Sequence, residues 1–342
     1  MRFALTLALF VSTCILTACG GAPPRPEPEN EPTPPSIGDL VTLAPDDATL
    51  VVTARPRELW ANPSTRRVLG AIFDDAQLDA FSIRTGVDPR RLDELVVAVC
   101  ADGHVVIGRG QLDAPFAVQE AGDRMAPLES SVDEPLVRRV GFLGSGRVDL
   151  AAPAADTVIW IDGPPQRAAG VLASALRGEA QRRHALEGVT LRELRATRAG
   201  APLAAYVPRP LGLPLDTGIG LLLARQTALA ADVRPDESGT LWIALELRGE
   251  FPPGAEDNFR ALAASIAESD LGAALGARDA LPTLRIESEE ARIALRASLA
   301  SEVLAAGLRT LFVAEMRELL SINPREPDAP PAPSLESSSE SP

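Results

Sequence analysis

Lysine is absent from this chain of 342 residues, and histidine, cysteine and aromatic residues are scarce. All 33 basic residues are therefore arginine, and with abundant alanine this reads as the codon bias of a GC-rich genome, from which no chemistry follows. Of the three cysteines, Cys14 and Cys19 lie in or beside an N-terminal apolar run, so Cys100 is left without an internal disulfide partner. Stability must then come from packing. A metal site built on histidine would need both His104 and His184 to converge with Cys100, which sits in an apolar strand and reads as a small buried hydrophobe. No metal and no cofactor is expected. Cations are outnumbered, giving a net charge of −14, and such a field repels nucleic acid and anionic headgroups. Long apolar runs are missing too: Phe3 to Leu16 is shorter than the roughly 20 residues a helix needs to span a bilayer.

That run follows Met1-Arg2 and ends in Leu16-Thr17-Ala18-Cys19, so it reads as a signal-peptide core. The ending resembles the lipobox of bacterial lipoproteins. The resemblance implies cleavage between Ala18 and Cys19, a diacylglycerol on the Cys19 sulfur and acylation of the new amine. Two or three chains, at about 0.8 kcal/mol per buried methylene, would hold the protein on a membrane almost permanently. Gly20 stands where an aspartate would favour inner-membrane retention by the enteric-type rule, so the resemblance implies the periplasmic side of an outer membrane, lipid-anchored. The alternative is an ordinary secretory signal.

Residues 19–36 are rich in Pro, Glu and Gly and cannot offset ordering entropy by burial. They are expected to form an extended tether, reaching up to about 50 Å at ~3.1 Å per residue. Residues 324–342, rich in Pro, Ser and Glu, read as a disordered acidic tail. Between them a βαββαββα pattern is read twice, in a first lobe over 37–185 and a second over 186–323. In the first, a strand over 48–54 precedes helical stretches over 57–85. The strands 95–100 and 104–107 are joined by Ala101-Asp102-Gly103, a hairpin signal. A helix over 117–125, a hairpin of 136–140 with 147–151, a buried strand over 157–161 and a helix opened by Pro164-Pro165 complete it. In the second lobe, strands are predicted at 203–207, 228–233, 240–247, 283–286 and 291–295, with helices over 255–266 and 301–320. The last should pack Leu304, Leu308, Leu311, Phe312 and Leu319 on a sheet. Segments 181–199 and 211–223 are ambiguous.

Three short matches recur in the same order in each half: Arg55-Pro56 with Arg209-Pro210, Arg109-Gly110-Gln111-Leu112 with Arg248-Gly249-Glu250-Phe251, and Arg147-Val148-Asp149-Leu150 with Arg292-Ile293-Ala294-Leu295. They point to an internal duplication. The fold class expected is α/β of the α+β kind: two related lobes of antiparallel hairpins, each covered by helices on one face. Whether the two sheets join is open at this stage.

Leu215-Asp216-Thr217-Gly218 resembles the aspartic protease motif, but that chemistry needs two carboxylates sharing a proton, and the chain has no second Asp-Thr-Gly. Asp216 is read as a helix N-cap, with a hydrolase kept as a lesser alternative. Ser145 between Gly144 and Gly146 lacks the strand-to-helix elbow of an activated nucleophile, and Gly141, Gly144 and Gly146 precede no helix that could cradle a phosphate. Glu287, Glu289 and Glu290 read as a solvated run. Trp60, Trp160 and Trp242 are dispersed and read as core or edge packing. The opening Leu43-Ala44-Pro45-Asp46-Asp47-Ala48 is similar to uncharacterised bacterial envelope proteins and brings no activity.

No catalytic constellation stands out. The function expected is a noncatalytic, lipid-anchored envelope protein that binds another envelope protein or serves as a structural module. The alternative is a carrier holding a lipid or hydrophobic small molecule in an apolar cleft between the lobes.

Overall fold

The computed structural model describes residues 38–129, 137–143, 146–181, 183–211, 223 and 225–320, without the side chains of 84, 129, 143 and 311–320. Cys19, Asp216 and Ser145 lie outside them. The strands are β1 (Leu50–Ala54), β2 (Leu92–Cys100), β3 (Gly103–Gly110), β4 (Ala126–Glu129), β5 (Val137–Leu143), β6 (Gly146–Ala154), β7 (Thr157–Asp162), β8 (Leu203–Val207), β9 (Gln226–Pro235), β10 (Thr240–Gly249), β11 (Arg285–Glu289) and β12 (Arg292–Ala300). The helices are α1 (Pro56–Ala61), α2 (Pro63–Ile72), α3 (Asp75–Thr85), α4 (Ala114–Gly122), α5 (Pro165–Arg177), α6 (Val189–Thr197), α7 (Ala255–Glu268), α8 (Asp270–Ala274), α9 (Ala277–Ala280) and α10 (Ser301–Leu320).

The two expected sheets are one. Twelve strands run in the order β11-β12-β10-β9-β8-β1-β2-β3-β7-β6-β5-β4, and the halves meet where β1 pairs antiparallel with β8, Val52 opposite Ala205. Outward from that seam each half places three successive strands and then a returning strand, β7 beside β3 and β12 beside β10. The mixed α+β class and its antiparallel hairpins stand as read.

The Arg-Gly matches occupy equivalent places in this order. Gly110 and Gly249 end β3 and β10, and a Cβ there would lie 2.6 Å from the Arg91 carbonyl oxygen and 2.3 Å from that of Arg225. Both residues donate their N–H to the turn before the returning strand, Gly110 to Asp156 and Gly249 to Ala291. Glycine is needed at each because the start of the preceding strand crosses against it. The third match does not hold up: Arg147 lies at the start of β6, after Gly146, whereas Arg292 opens β12, whose counterpart in strand order is β7.

Helices cover both faces rather than one, as the alternation along β7 shows. Ile159 and Ile161 point into a core with Val171 and Leu172 of α5 and Leu191 and Leu194 of α6, while Val158 and Trp160 pack with Ala114 and Val118 of α4 on the other side. The first core continues through Val51 and Val96 to Tyr206, Ala228 and Ala230, so it runs unbroken beneath the seam between the halves. A third core joins Phe259 of α7 to Leu247, Ile286 and Ile293.

Other differences have local causes. Residues 57–85 form three helices because Pro63 and the Asp74 capping box restart the chain twice. The Asp102-Gly103 hairpin turns on Ala101 and Asp102, with Gly103 already paired to Cys100; its glycine is required because a Cβ would lie 2.2 Å from the Asp162 carbonyl oxygen. The helix expected over 117–125 starts earlier, where Asp113 accepts from the Phe116 N–H. Segment 181–199 contains α6, and β4, α8 and α9 were not anticipated. α10 packs chiefly on α2 of the first half rather than on the sheet, joined by Arg67 to Ser301 and Glu302.

Candidate functional site: an arginine-lined cleft

Beyond α6 the sheet loses its helical cover on the face that carries Ala228 and Ala230. Period-two alternation puts Asp232 and Arg234 of β9, Trp242, Ala244, Glu246 and Arg248 of β10, and Arg292, Ala294 and Arg296 of β12 on this face. A cleft of about 320 Å³ opens there, with Thr197 and Arg198 from the end of α6 as one wall. Its floor is shallow-sided because Ala244 and Ala294 are small, and Trp242, 45% exposed, stands at the lip with its indole N–H donating to Asp236 at 3.3 Å.

The deep wall is ionic. Arg198, Asp232 and Glu246 are 5%, 5% and 6% exposed. Arg198 follows the last turn of α6, where a cation suits the helix dipole, and donates to the Leu194 carbonyl at 3.1 Å and the Ala230 carbonyl at 3.4 Å. Its guanidinium stands 3.4 Å from Asp232 and 3.5 Å from Glu246, bridging β9 and β10. Arg234 pairs with Asp232 at 2.8 Å, and Arg248 and Arg292 pair with Glu246 at 2.8 and 3.2 Å. Buried charges survive only when paired in this way. The network pins α6 to the sheet; the side facing solvent still carries more cations than carboxylates.

The residues weighed from sequence are brought together only in part. Cys100 and His104 lie at the same hairpin end, but Val99 is the partner of His104 in register, so the thiol and imidazole point to opposite faces and form no nucleophile-base pair. Burial, aided by neighbouring Asp47, pushes the Cys100 thiol up to about 12. Burial, with Arg167 adding to it, holds His104 down to about 4, although Asp162 lies 3.5 Å from Nδ1. The Asp162 carboxyl is itself raised by burial, so it does little to draw a proton onto the ring. Arg167, nearly buried, binds Asp47 at 2.6 Å and Asp102, closing this end of the sheet. His184 is lowered by burial as well. No group of three or more His, Cys, Asp or Glu suited to a metal occurs among the described residues.

Glu287 and Glu289 are exposed as expected but pair with Arg292, at 3.8 and 3.3 Å, on the rim of the cleft; Glu290 lies in the turn. Trp160 packs in the core and Trp60 is half-buried, whereas Trp242 is the exposed exception. Sequence reading missed the cleft. Its signal in the sequence is charge on one face of each strand, Asp232 with Arg234, Glu246 with Arg248 and Arg292 with Arg296, which a search for apolar runs passes over.

No described helix is long and apolar enough to cross a membrane. No protein-family model and no curated protein matches the chain. Among solved structures, crystal form III of TP0453 is similar at a TM-score of 0.50 and 14% identity, over 80% of this chain and 98% of that one. Crystal form IV of TP0453 gives 0.49 and 13%, over 79% and 96%. At such identity the form III likeness concerns the fold alone: the antiparallel sheet with its helices is an arrangement found in another protein.

Proposed function

We propose that this is a lipid-anchored envelope protein with a noncatalytic binding role, held through Cys19 and presenting the charged face over Ala244 to its partner. The cleft is the observation that carries the binding role. It is concave, partly lined by paired buried charge that fixes its shape, and open where Trp242 and Arg296 stand. The continuous core beneath the β1–β8 seam supports a binding module over the interlobe carrier, since apolar side chains from both halves already fill that place among the described residues. The lipobox-like ending at Cys19 supports the anchor.

Labelling growing cells with a radioactive fatty acid tests the reading. The parent chain should incorporate label and lose residues 1–18, and Cys19→Ser should remain an unlabelled, uncut precursor. Normal maturation of Cys19→Ser would reject the anchor.

A further inference from the structure

The register around Ala244 fixes which side chains surround the cleft floor. Asp232 lies across from Ala244 on β9 and Arg296 across from it on β12, while Trp242 and Glu246 are its neighbours along β10. The lining holds four arginines, Arg198, Arg234, Arg292 and Arg296, against two carboxylates, Asp232 and Glu246. Among the lining side chains two positive charges are therefore in excess, on a chain whose net charge is −14, while Glu287 and Glu289 on the rim are turned to Arg292. Three of the four arginines are committed to the buried carboxylates. Arg296 is exposed and has neither an ion pair nor a side-chain hydrogen bond among the described residues. The same is true of Arg285, which stands directly opposite it in the β11–β12 register. Like charges facing each other across a strand pair are destabilising, and an anion between them reverses the sign of that interaction.

We infer that the cleft is a binding site for a phosphate-bearing ligand, with the phosphate held by Arg296 and Arg285 and its attached group lying over Ala244 against the exposed face of Trp242. This rests on the binding role proposed above. Two guanidinium forks without partners among the described residues match a doubly charged tetrahedral oxyanion, whereas a single carboxylate would leave one of them unneutralised. The volume of about 320 Å³ is at the small end of ligand pockets, which admits one phosphate and a small substituent. The floor of Ala244 and Ala294 offers no side-chain donor, so the phosphate is held at the Arg296–Arg285 end.

The test is calorimetric titration of the mature full-length protein, in neutral detergent, with inorganic phosphate, glycerol 3-phosphate, acetate and the short-chain lipid dihexanoyl phosphatidic acid. Phosphate should bind more tightly than acetate, and added salt should weaken it. Arg296→Gln and Arg285→Gln should each weaken it about tenfold, the effect of losing one charge-assisted contact. Arg260→Gln, on exposed α7, should leave it unchanged. Trp242→Ala should weaken the esters and spare inorganic phosphate. Equal binding of glycerol 3-phosphate and the lipid identifies a soluble phosphoester as the source, and a clear preference for the lipid identifies a headgroup. Phosphate binding no tighter than acetate, or indifferent to both arginine substitutions, overturns the inference. That failure is separate from the labelling experiment: a chain carrying lipid on Cys19 but blind to phosphate loses this site and keeps its anchor.

Discussion

Replacing Arg198 by methionine is the sharpest perturbation of the ionic wall, because it keeps much of the side-chain volume and removes the one cation that both buried carboxylates share. At separations of 3.4 and 3.5 Å and an effective dielectric near 20, each attraction is worth about 5 kcal/mol before desolvation is counted. Desolvation of the guanidinium offsets much of this, and breaking a buried pair by deleting one partner costs about 3–5 kcal/mol in total. Arg234, Arg248 and Arg292 still screen Asp232 and Glu246, so the lower half of that range is expected, about 3 kcal/mol. Urea unfolding followed by far-UV circular dichroism reads the change as a lower midpoint at constant slope. Neutralising the acids in the same chain, with Asp232→Asn and Glu246→Gln, should restore part of the loss, since no buried carboxylate is then left short of a cation, while Arg234 and Arg248, both nearer to solvent, give up their carboxylate partners. A change below about 0.5 kcal/mol in Arg198→Met, or no recovery in the combined variant, would show that the network does not hold α6 to the sheet.

Gly110→Ala and Gly249→Ala should each lower stability by about 2 kcal/mol or more, because the new methyl meets backbone rather than a movable side chain; thermal melts of the two variants should agree, and tolerance at either site would undo the equivalence of the half-sheets. Acid should destabilise the protein through His104: with its folded value near 4 and an unfolded value near 6.5, stability is full above pH 6.5 and falls as pH drops toward 4, because the unfolded chain takes up the proton. The loss is on the order of 3 kcal/mol, and His104→Gln should flatten that part of the stability profile; an unchanged slope would place the acid sensitivity elsewhere. Cys100, buried and raised to about 12, should react with a thiol reagent at pH 8 only after denaturant is added, and rapid labelling of the native protein would contradict its burial.

Much of the fold was legible because its signals are local. The runs Leu95 to Cys100 and Thr157 to Ile161 are apolar enough to be strands without any neighbour, and Pro165 opens α5 by removing a donor the first helical turn does not use. The joining of the halves was not legible. β1 and β8 are short strands whose pairing depends on chain segments about 150 residues apart, and nothing in Leu203 to Val207 specifies Leu50 to Ala54 as its partner. Helices on both faces were missed for a related reason: Val158 and Trp160 look like part of one buried run, and only the presence of α4 divides them from Ile159 and Ile161. The cleft stayed hidden because its charges come from α6, β9, β10 and β12 at once. Arg198 sat in a polar segment that resembled a linker, and Trp242 was one aromatic among several.

A crystal soaked with tungstate, a heavy mimic of phosphate, tests most directly that the open arginine face is where this protein meets its ligand. Anomalous density from the tungsten is expected between Arg296 and Arg285 at the mouth of the cleft, with tungstate oxygens at hydrogen-bond distance, about 3 Å, from their guanidinium nitrogens. Tungstate bound only at other arginines, with this face empty, would contradict the account.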